Sequence, residues 1–256
     1  MTFLFFLIVS CRRGLKFSTL RERKKENLFF FSISISISKS PISPSLSTMT
    51  ISIVDYGLPD DTHNVYDVIF YSDTIHTLLT NSPSIVDSWL SEIDRSGSNR
   101  LIVGLDVEWR PSFNRHIQNP VATLQLCVSH RCLIFQLIHA PKIPQSLIDF
   151  LGNTNYTFVG VGIEPDVEKL LEDYGLSVAT VVDVRVLAAD KLGLRELRNA
   201  GLKALAMQVL GKEIEKPKRV TMSRWDNPWL NSQQVQYACI DAFVSFEIAR
   251  NLYARA

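Results

Sequence analysis

The 256-residue chain sets 27 Lys and Arg against 26 Asp and Glu, and its 46% apolar and 21% charged residues sit near globular averages. Wholesale disorder, collagen and coiled coil are thereby excluded, and four cysteines are too few for a disulfide scaffold, which suggests a reducing compartment. No apolar run reaches the roughly 18 residues needed to span a bilayer, so a soluble intracellular protein without a membrane partner is expected.

The charge is unevenly placed. Residues 1–48 hold eight Lys and Arg against two Glu, a net of +6, which leaves nineteen basic and twenty-four acidic groups, a net of −5, in residues 49–256. A basic, Ser-rich, acid-poor leader fits an organelle transit segment, and the Ser-Ile alternation over 32–38 fits an edge strand or low-complexity sequence. The preferred reading makes 1–48 a dispensable extension with a functional start at Met49, and 49–256 the folded domain.

Val65–Ser72 reads as a strand. Pro83 then opens a helix over Ser84–Ile93, whose apolar residues follow helical spacing. Residues 95–99 predict a turn. Leu101–Trp109 is apolar enough to be a central strand covered on both faces. Val121–Val128 and Cys132–Leu137 flank a short connection and predict a hairpin. A short helix over Pro144–Leu151, a buried strand over Tyr156–Ile163 and a helix from Pro165 to Tyr174 follow. Thr180–Val184 gives one more strand, and the rest is mainly helical. Strands followed by strand–helix alternation predict a mixed sheet flanked by helices.

Three acidic elements stand out. Asp106 and Glu108 are two residues apart on the strand, so they share a face. Paired carboxylates on an apolar strand need a neutralising cation, unless the strand simply runs out into solvent. Asp166 follows the strand YTFVGVGI at a helix start, where the helix dipole favours an anion even without a functional role. Gly160 and Gly162 thin that strand as though a backbone or ligand comes close. Tyr237 and Asp241 are four apart on an apolar helix, so phenol and carboxylate project together, either as a site or as a plain hydrogen-bonded pair.

In order and spacing, DVE, VGVGIEPDVEKL and YACID resemble the three motifs of the DEDDy 3′–5′ exonucleases, and among them the Werner-like exonuclease domains, including stand-alone plant members. The likeness runs from about Leu101 to Ala256, takes in VATLQLCVS and Ser223-Arg-Trp225, and weakens over 60–100. Position 236 is Gln rather than the histidine of the sister branch, so the tyrosine branch applies through Tyr237. The resemblance implies an RNase H-like α/β fold, a central mixed sheet with helices on its faces. It also implies a 3′–5′ exonuclease that releases nucleoside monophosphates, with DNA as the expected substrate and RNA as the alternative. A catalytically silent binding module is the rival reading, although every acid of the pattern is present. A helicase acting in trans and a nuclear or partly cytoplasmic location are further implications, with organelle import through 1–48 as a minority reading.

In-line phosphodiester cleavage needs an activated water and charge relief on phosphoryl and leaving oxygens, which two divalent ions can supply. Carboxylates suit Mg²⁺ or Mn²⁺. By resemblance, Asp106 bridges the ions, Glu108 holds one and meets the 3′-hydroxyl, Asp241 and Asp166 complete the coordination, and Tyr237 orients the water. The acidic body then needs cations only along the strand's approach. Arg110 and Arg115 are candidates, as is the run Lys216, Lys218 and Arg219 leading to Arg224 and Trp225, a run that reads equally as a solvated loop. Trp109 is a candidate base-stacking residue or a core residue.

Other signals are weak. Cys127 and Cys132 with His130 lack a fourth zinc ligand, and neither GxxxxGK[ST] nor GxSxG occurs.

Overall fold

The computed structural model describes residues 51–57, 62–95, 100–114, 116 and 118–255. The expectations for residues 1–48 and for Arg115, and residues 96–99 of the turn expected over 95–99, lie outside the described residues.

Eight strands among the described residues form one mixed sheet: β1 Ile51–Asp55, β2 His63–Phe70, β3 Asp73–Thr80, β4 Ile102–Trp109, β5 Val121–Val128, β6 Arg131–Phe135, β7 Thr157–Gly160 and β8 Val181–Asp183. Their order is β1-β2-β3-β6-β5-β4-β7-β8. β1–β2–β3 is an antiparallel meander, and β4–β5–β6 is a second one. They join through a parallel β3–β6 pair, and β7 and β8 add in parallel beside β4. The hairpin expected over 121–137 is present, with Cys127 opposite Cys132.

Two strands escape the sequence reading. The predicted strand over 65–72 ends at Phe70, where Tyr71 adopts a left-handed φ of 60° and turns the chain straight into β3. Hairpin turns of this kind usually announce themselves with Asn-Gly or Asp-Gly, and Tyr-Ser does not. β3 sets buried Ile75, Thr77 and Leu79 against exposed Thr74 and His76, and its threonines and His76 dilute the apolar signal. β1 is a short, largely exposed edge strand.

Helices cover both faces. α1 (Pro83–Asp94), α2 (Gln145–Leu151) and α3 (Ile163–Tyr174) pack on one side, where Trp89, Phe150 and Leu170 meet Val103, Leu105 and Val107 of β4. α4 (Val184–Leu192), α5 (Leu202–Leu205), the single turn α6 (Lys218–Thr221) and the 23-residue α7 (Ser232–Ala254) contribute the other core. α7 is apolar nearly all round, which is why it runs against the middle of the sheet rather than across its surface. Each large side chain buried there contributes roughly 1.5–3 kcal/mol. No helix of the described residues is long and apolar enough to cross a membrane.

Candidate active site

The pleat of β4 sends Val103, Leu105 and Val107 into one core and leaves Gly104, Asp106 and Glu108 on the face toward α7. Gly104 sets the distance between the two elements. A Cβ there would overlap the Ala242 carbonyl oxygen and lie 2.9 Å from its carbon and 3.0 Å from the Phe246 Cβ. The helix backbone therefore rests on the strand, and Asp241 is brought down beside Asp106. Single carboxylate oxygens of Asp106, Glu108 and Asp241 all lie within 4.8 Å of one another. A register shift between Glu108 and Trp109 breaks the regular β4–β5 ladder beside the acids, and Trp109 pairs with Val121 beyond it.

α7 is aimed from its start. Asn231 caps it by accepting from the Gln234 N–H at 3.0 Å, and Gln234 returns a bond to the Asn231 N–H at 3.1 Å. The Gln234 side chain also donates to Ser223 Oγ at 3.0 Å, tying the preceding loop to the helix. Trp225 from that loop is fully buried, with its ring 6.1 Å from that of Tyr237.

Asp166 arrives from β7 and the first turn of α3. The helix begins at Ile163, two residues before the predicted start, because Gly162 in left-handed conformation (φ 66°) sets the cap. Pro165 is tolerated in the first turn, where its missing N–H costs nothing. Gly160 allows the close approach expected of it, since a Cβ there would come 2.8 Å from the Leu105 carbonyl oxygen. Asp183 accepts from the Gly162 N–H at 3.1 Å and is clamped by Arg185, whose guanidinium would lie 3.2 Å from a Gly162 Cβ. Gly162→Ala meets both the strained φ and that guanidinium, so chemical denaturation should show a loss of about 1–2 kcal/mol.

Asp106, Glu108, Asp166, Tyr237, Asp241 and Lys216 line one cavity of about 410 Å³, together with Trp109, Pro111, Val161, Gly162 and Thr221. Burial, then the charges of Asp241, Glu108 and Asp166, holds the Asp106 carboxyl well above its ordinary range. Glu108 is pushed up by burial and by Asp241. Burial and Glu164 raise Asp166 to about 7. Asp241 also rises with burial, against the opposing pull of Lys216 and of a hydrogen bond from Tyr237. The Tyr237 phenol is driven up by burial and by Asp241, Glu108 and Asp106, so it keeps its proton. Asp106 Oδ2 is enclosed without any hydrogen-bond partner. An orphaned carboxylate oxygen amid oxygen donors that raise one another is the donor set of a hard divalent cation, and the residues present fit one.

The other sequence candidates fall differently. Trp109 stands on the cavity wall with the Lys169 ammonium 5.6 Å above its ring. Arg110 is on the rim, paired with Asp226 at 3.2 Å, and Arg224 pairs with the same carboxylate at 3.4 Å. Lys218 and Arg219 are exposed on α6. The expectation that Trp225 touches a strand is corrected, because the indole has no exposed surface and supports Tyr237 instead. Lys216, expected along the approach, lies inside the cluster, with Nζ 2.5 Å from Asp241 Oδ2 and 5.3 Å from the Tyr237 ring centre. The Asp183–Arg185 clamp was missed, and Asp-x-Arg at a helix start carries no signal distinct from ordinary capping.

Residues 82–255 match the family model described as 3′-5′ exonuclease. A 3′-5′ exonuclease of Arabidopsis thaliana is 36% identical over 186 residues, covering 72% of this chain and 63% of that protein. The bifunctional 3′-5′ exonuclease/ATP-dependent helicase WRN of Mus musculus is 36% identical over 167 residues, covering 64% of this chain and 12% of the mouse protein. The chain thus spans less than two thirds of the length of either relative. Among solved structures, ribonuclease D of Escherichia coli superposes with a TM-score of 0.59 at 16% identity, over 69% of this chain and 44% of that one, which identifies the fold as RNase H-like. With the family model covering residues 82–255, more than half of the chain and all three acidic elements, the chain belongs to the 3′-5′ exonuclease family.

Proposed function

We propose that this protein removes nucleoside monophosphates from the 3′ end of DNA by hydrolysis assisted by two divalent ions, Mg²⁺ or Mn²⁺. The observation that carries this reading is the carboxylate cluster of Asp106, Glu108 and Asp241, with its orphaned oxygen, in a cavity shared with Asp166 and Tyr237. Asp106, Glu108 and Asp241 would hold the metal, and Asp166, which lines the same cavity, would complete the set. When bound, the ions neutralise charge on the phosphoryl and leaving oxygens and ease deprotonation of a water. Tyr237 orients that water. Its raised phenol remains a hydrogen-bonding group at neutral pH, so the proton is not taken by a tyrosinate. The water oxygen joins phosphorus as the bond to the 3′-oxygen breaks, leaving a shortened strand with a 3′-hydroxyl. Trp109 offers a stacking face for the terminal base, and the exposed Arg110, Lys218, Arg219 and Arg224 are the cations this reading assigns to the nucleic-acid backbone.

The names of the plant and mouse relatives favour exonuclease action. The mouse name adds a helicase to it, so the partner this reading proposes is a helicase acting in trans. The test is digestion of 3′-recessed, blunt and overhanging duplexes of matched DNA and RNA, labelled at the 5′ end, in Mg²⁺ or Mn²⁺. A one-nucleotide ladder that forms faster on DNA and vanishes in EDTA is expected. Digestion that persists in EDTA would overturn the metal-dependent reading, and equal or faster trimming of RNA would overturn the substrate.

Tyr237→Phe removes the orienting hydroxyl but keeps the ring against Trp225. The variant should melt like the parent and lose roughly 10²-fold in turnover with little change in KM, a split that steady-state kinetics will show.

A further inference from the structure

Lys216 is placed where a basic strand-binding residue has no reason to be. Its ammonium donates to Asp241 at 2.5 Å and lies over the Tyr237 ring at 5.3 Å. Asp106 and Glu108 also feel its charge. Only 6% of the Asp241 side chain is exposed, whereas 36% of the Lys216 side chain is. The acceptor is thus locked in the core, and the donor's stem lies across the rim.

The chain on either side explains this geometry. Lys216 sits between Gly211 and α6 in a stretch without regular structure. That stretch is pinned at its start, where the Glu213 N–H donates to Tyr71 Oη at 2.8 Å and Lys212 pairs with Asp73 at 2.6 Å. At its end, Pro217 leads into α6. The backbone is held at both ends of a short span, so only the lysine side chain is free to swing.

We propose that Lys216 is a built-in counter-ion that competes with metal: its ammonium neutralises Asp241 in the metal-free protein and leaves that carboxylate when a divalent cation enters. The inference rests on the metal-dependent reading above. It gives Lys216 a role in setting metal affinity, which a residue serving only to bind the strand would not have. A single positive charge within hydrogen-bond reach of a core carboxylate cannot stay there once a divalent ion takes the same oxygen, because the two cations repel at contact distance. The exposed stem lets the ammonium move out toward solvent. The pair thus supports the folded protein only while metal is absent.

A thermodynamic cycle follows. If Lys216 stabilises the metal-free form and not the metal-bound form, removing it tightens metal binding by the amount that it destabilises the metal-free protein. The experiment titrates the full chain with Mn²⁺ alone by calorimetry and measures Tm in chelator and in saturating Mn²⁺, for the parent, Lys216→Met and Lys216→Gln. Both variants should bind Mn²⁺ about tenfold more tightly, equivalent to about 1.4 kcal/mol. Their Tm in chelator should fall by about 3–5 °C, with the gap closing in Mn²⁺. In an Asp241→Asn background, Lys216→Met should lower the Tm in chelator clearly less than it does in the parent, the remainder coming from Asp106 and Glu108.

Unchanged affinity, or an equal Tm loss with and without Mn²⁺, would overturn the proposal and leave Lys216 a structural or strand-binding residue. Weaker Mn²⁺ binding in the variants would overturn it in the other direction, by making Lys216 a support of the site. If neither the parent nor the variants bind Mn²⁺, the metal-dependent reading fails as well, which distinguishes the two failures.

Discussion

Asp106→Asn should abolish nuclease activity while making the metal-free protein more resistant to heat. The carboxylate stands at the centre of the cluster, on the face of β4 that Gly104 brings against α7, and its Oδ2 has no partner. Its charged form is opposed first by burial and then by Asp241, Glu108 and Asp166. Such a group costs stability whenever it is ionised, because its folded pKa lies above its unfolded one. An amide of the same shape removes that cost, so the metal-free variant should gain about 1–3 kcal/mol. The same change deletes a carboxylate proposed to hold metal at the centre of the cluster, and turnover should fall by roughly 10³-fold or more. Melting in EDTA beside a digestion assay in Mn²⁺ checks both halves, and a variant that melts lower in EDTA would contradict the electrostatic account.

The pH dependence of the metal-free protein has the matching sign. Asp166 is raised to about 7 against an ordinary value of 3.8, so the folded chain takes up a proton in a range where the unfolded chain does not. The cost of its charge is therefore fully present above about 7 and is relieved as the pH falls toward 3.8. Asp73 and Asp226 oppose this at the acid end, because their basic partners outweigh burial and hold them below the usual range. In EDTA, Tm should climb on acidification from just above neutrality to about pH 5, and in Asp166→Asn the climb should be visibly smaller. A flat or falling profile in the parent would count against the coupling of these acids.

What could be read from the residues was the part that local periodicity encodes. The alternation of β4 put Asp106 and Glu108 on one face, and the helical spacing of Tyr237 and Asp241 put both on one side of α7. Only the resemblance could bring those elements to one place, because nothing local says which face of β4 meets α7. The information is present in Gly104, yet a glycine within LIVGLDVEW reads equally well as a mere weak point in a strand. Lys216 and Trp225 were misjudged for a related reason. Their types suit a nucleic-acid surface, but each acts through a partner far along the chain, Asp241 for the lysine and Tyr237 for the indole. β3 was hidden by a turn that uses Tyr71 in a conformation usually reserved for glycine or asparagine.

Gly104→Ala should be the most damaging substitution of a single methyl group in this protein. Alanine suits the extended backbone of a strand, so no conformational penalty is expected, and the whole effect must come from space. The added carbon overlaps the Ala242 carbonyl oxygen, and it would sit 2.9 Å from that carbonyl's carbon and 3.0 Å from the Phe246 Cβ. These are backbone and helix-root atoms, which cannot rotate away as a long side chain would. Either α7 lifts from the sheet or β4 bows, and both movements loosen a fully buried interface that includes Phe243 and Val244. Overpacking of this kind costs about 1–3 kcal/mol, and a backbone obstacle belongs at the upper end or beyond it. The displacement also falls where the chemistry is, since Gly104 is two residues from Asp106 and Ala242 adjoins Asp241. The three oxygens now within 4.8 Å of one another would separate, so Mn²⁺ affinity should drop even at temperatures where the variant is fully folded. Calorimetric Mn²⁺ titration well below the variant's Tm isolates that effect from unfolding. Unaltered affinity in a destabilised variant would mean that the strand and helix relax without moving their acids, and that close packing at Gly104 serves the fold alone.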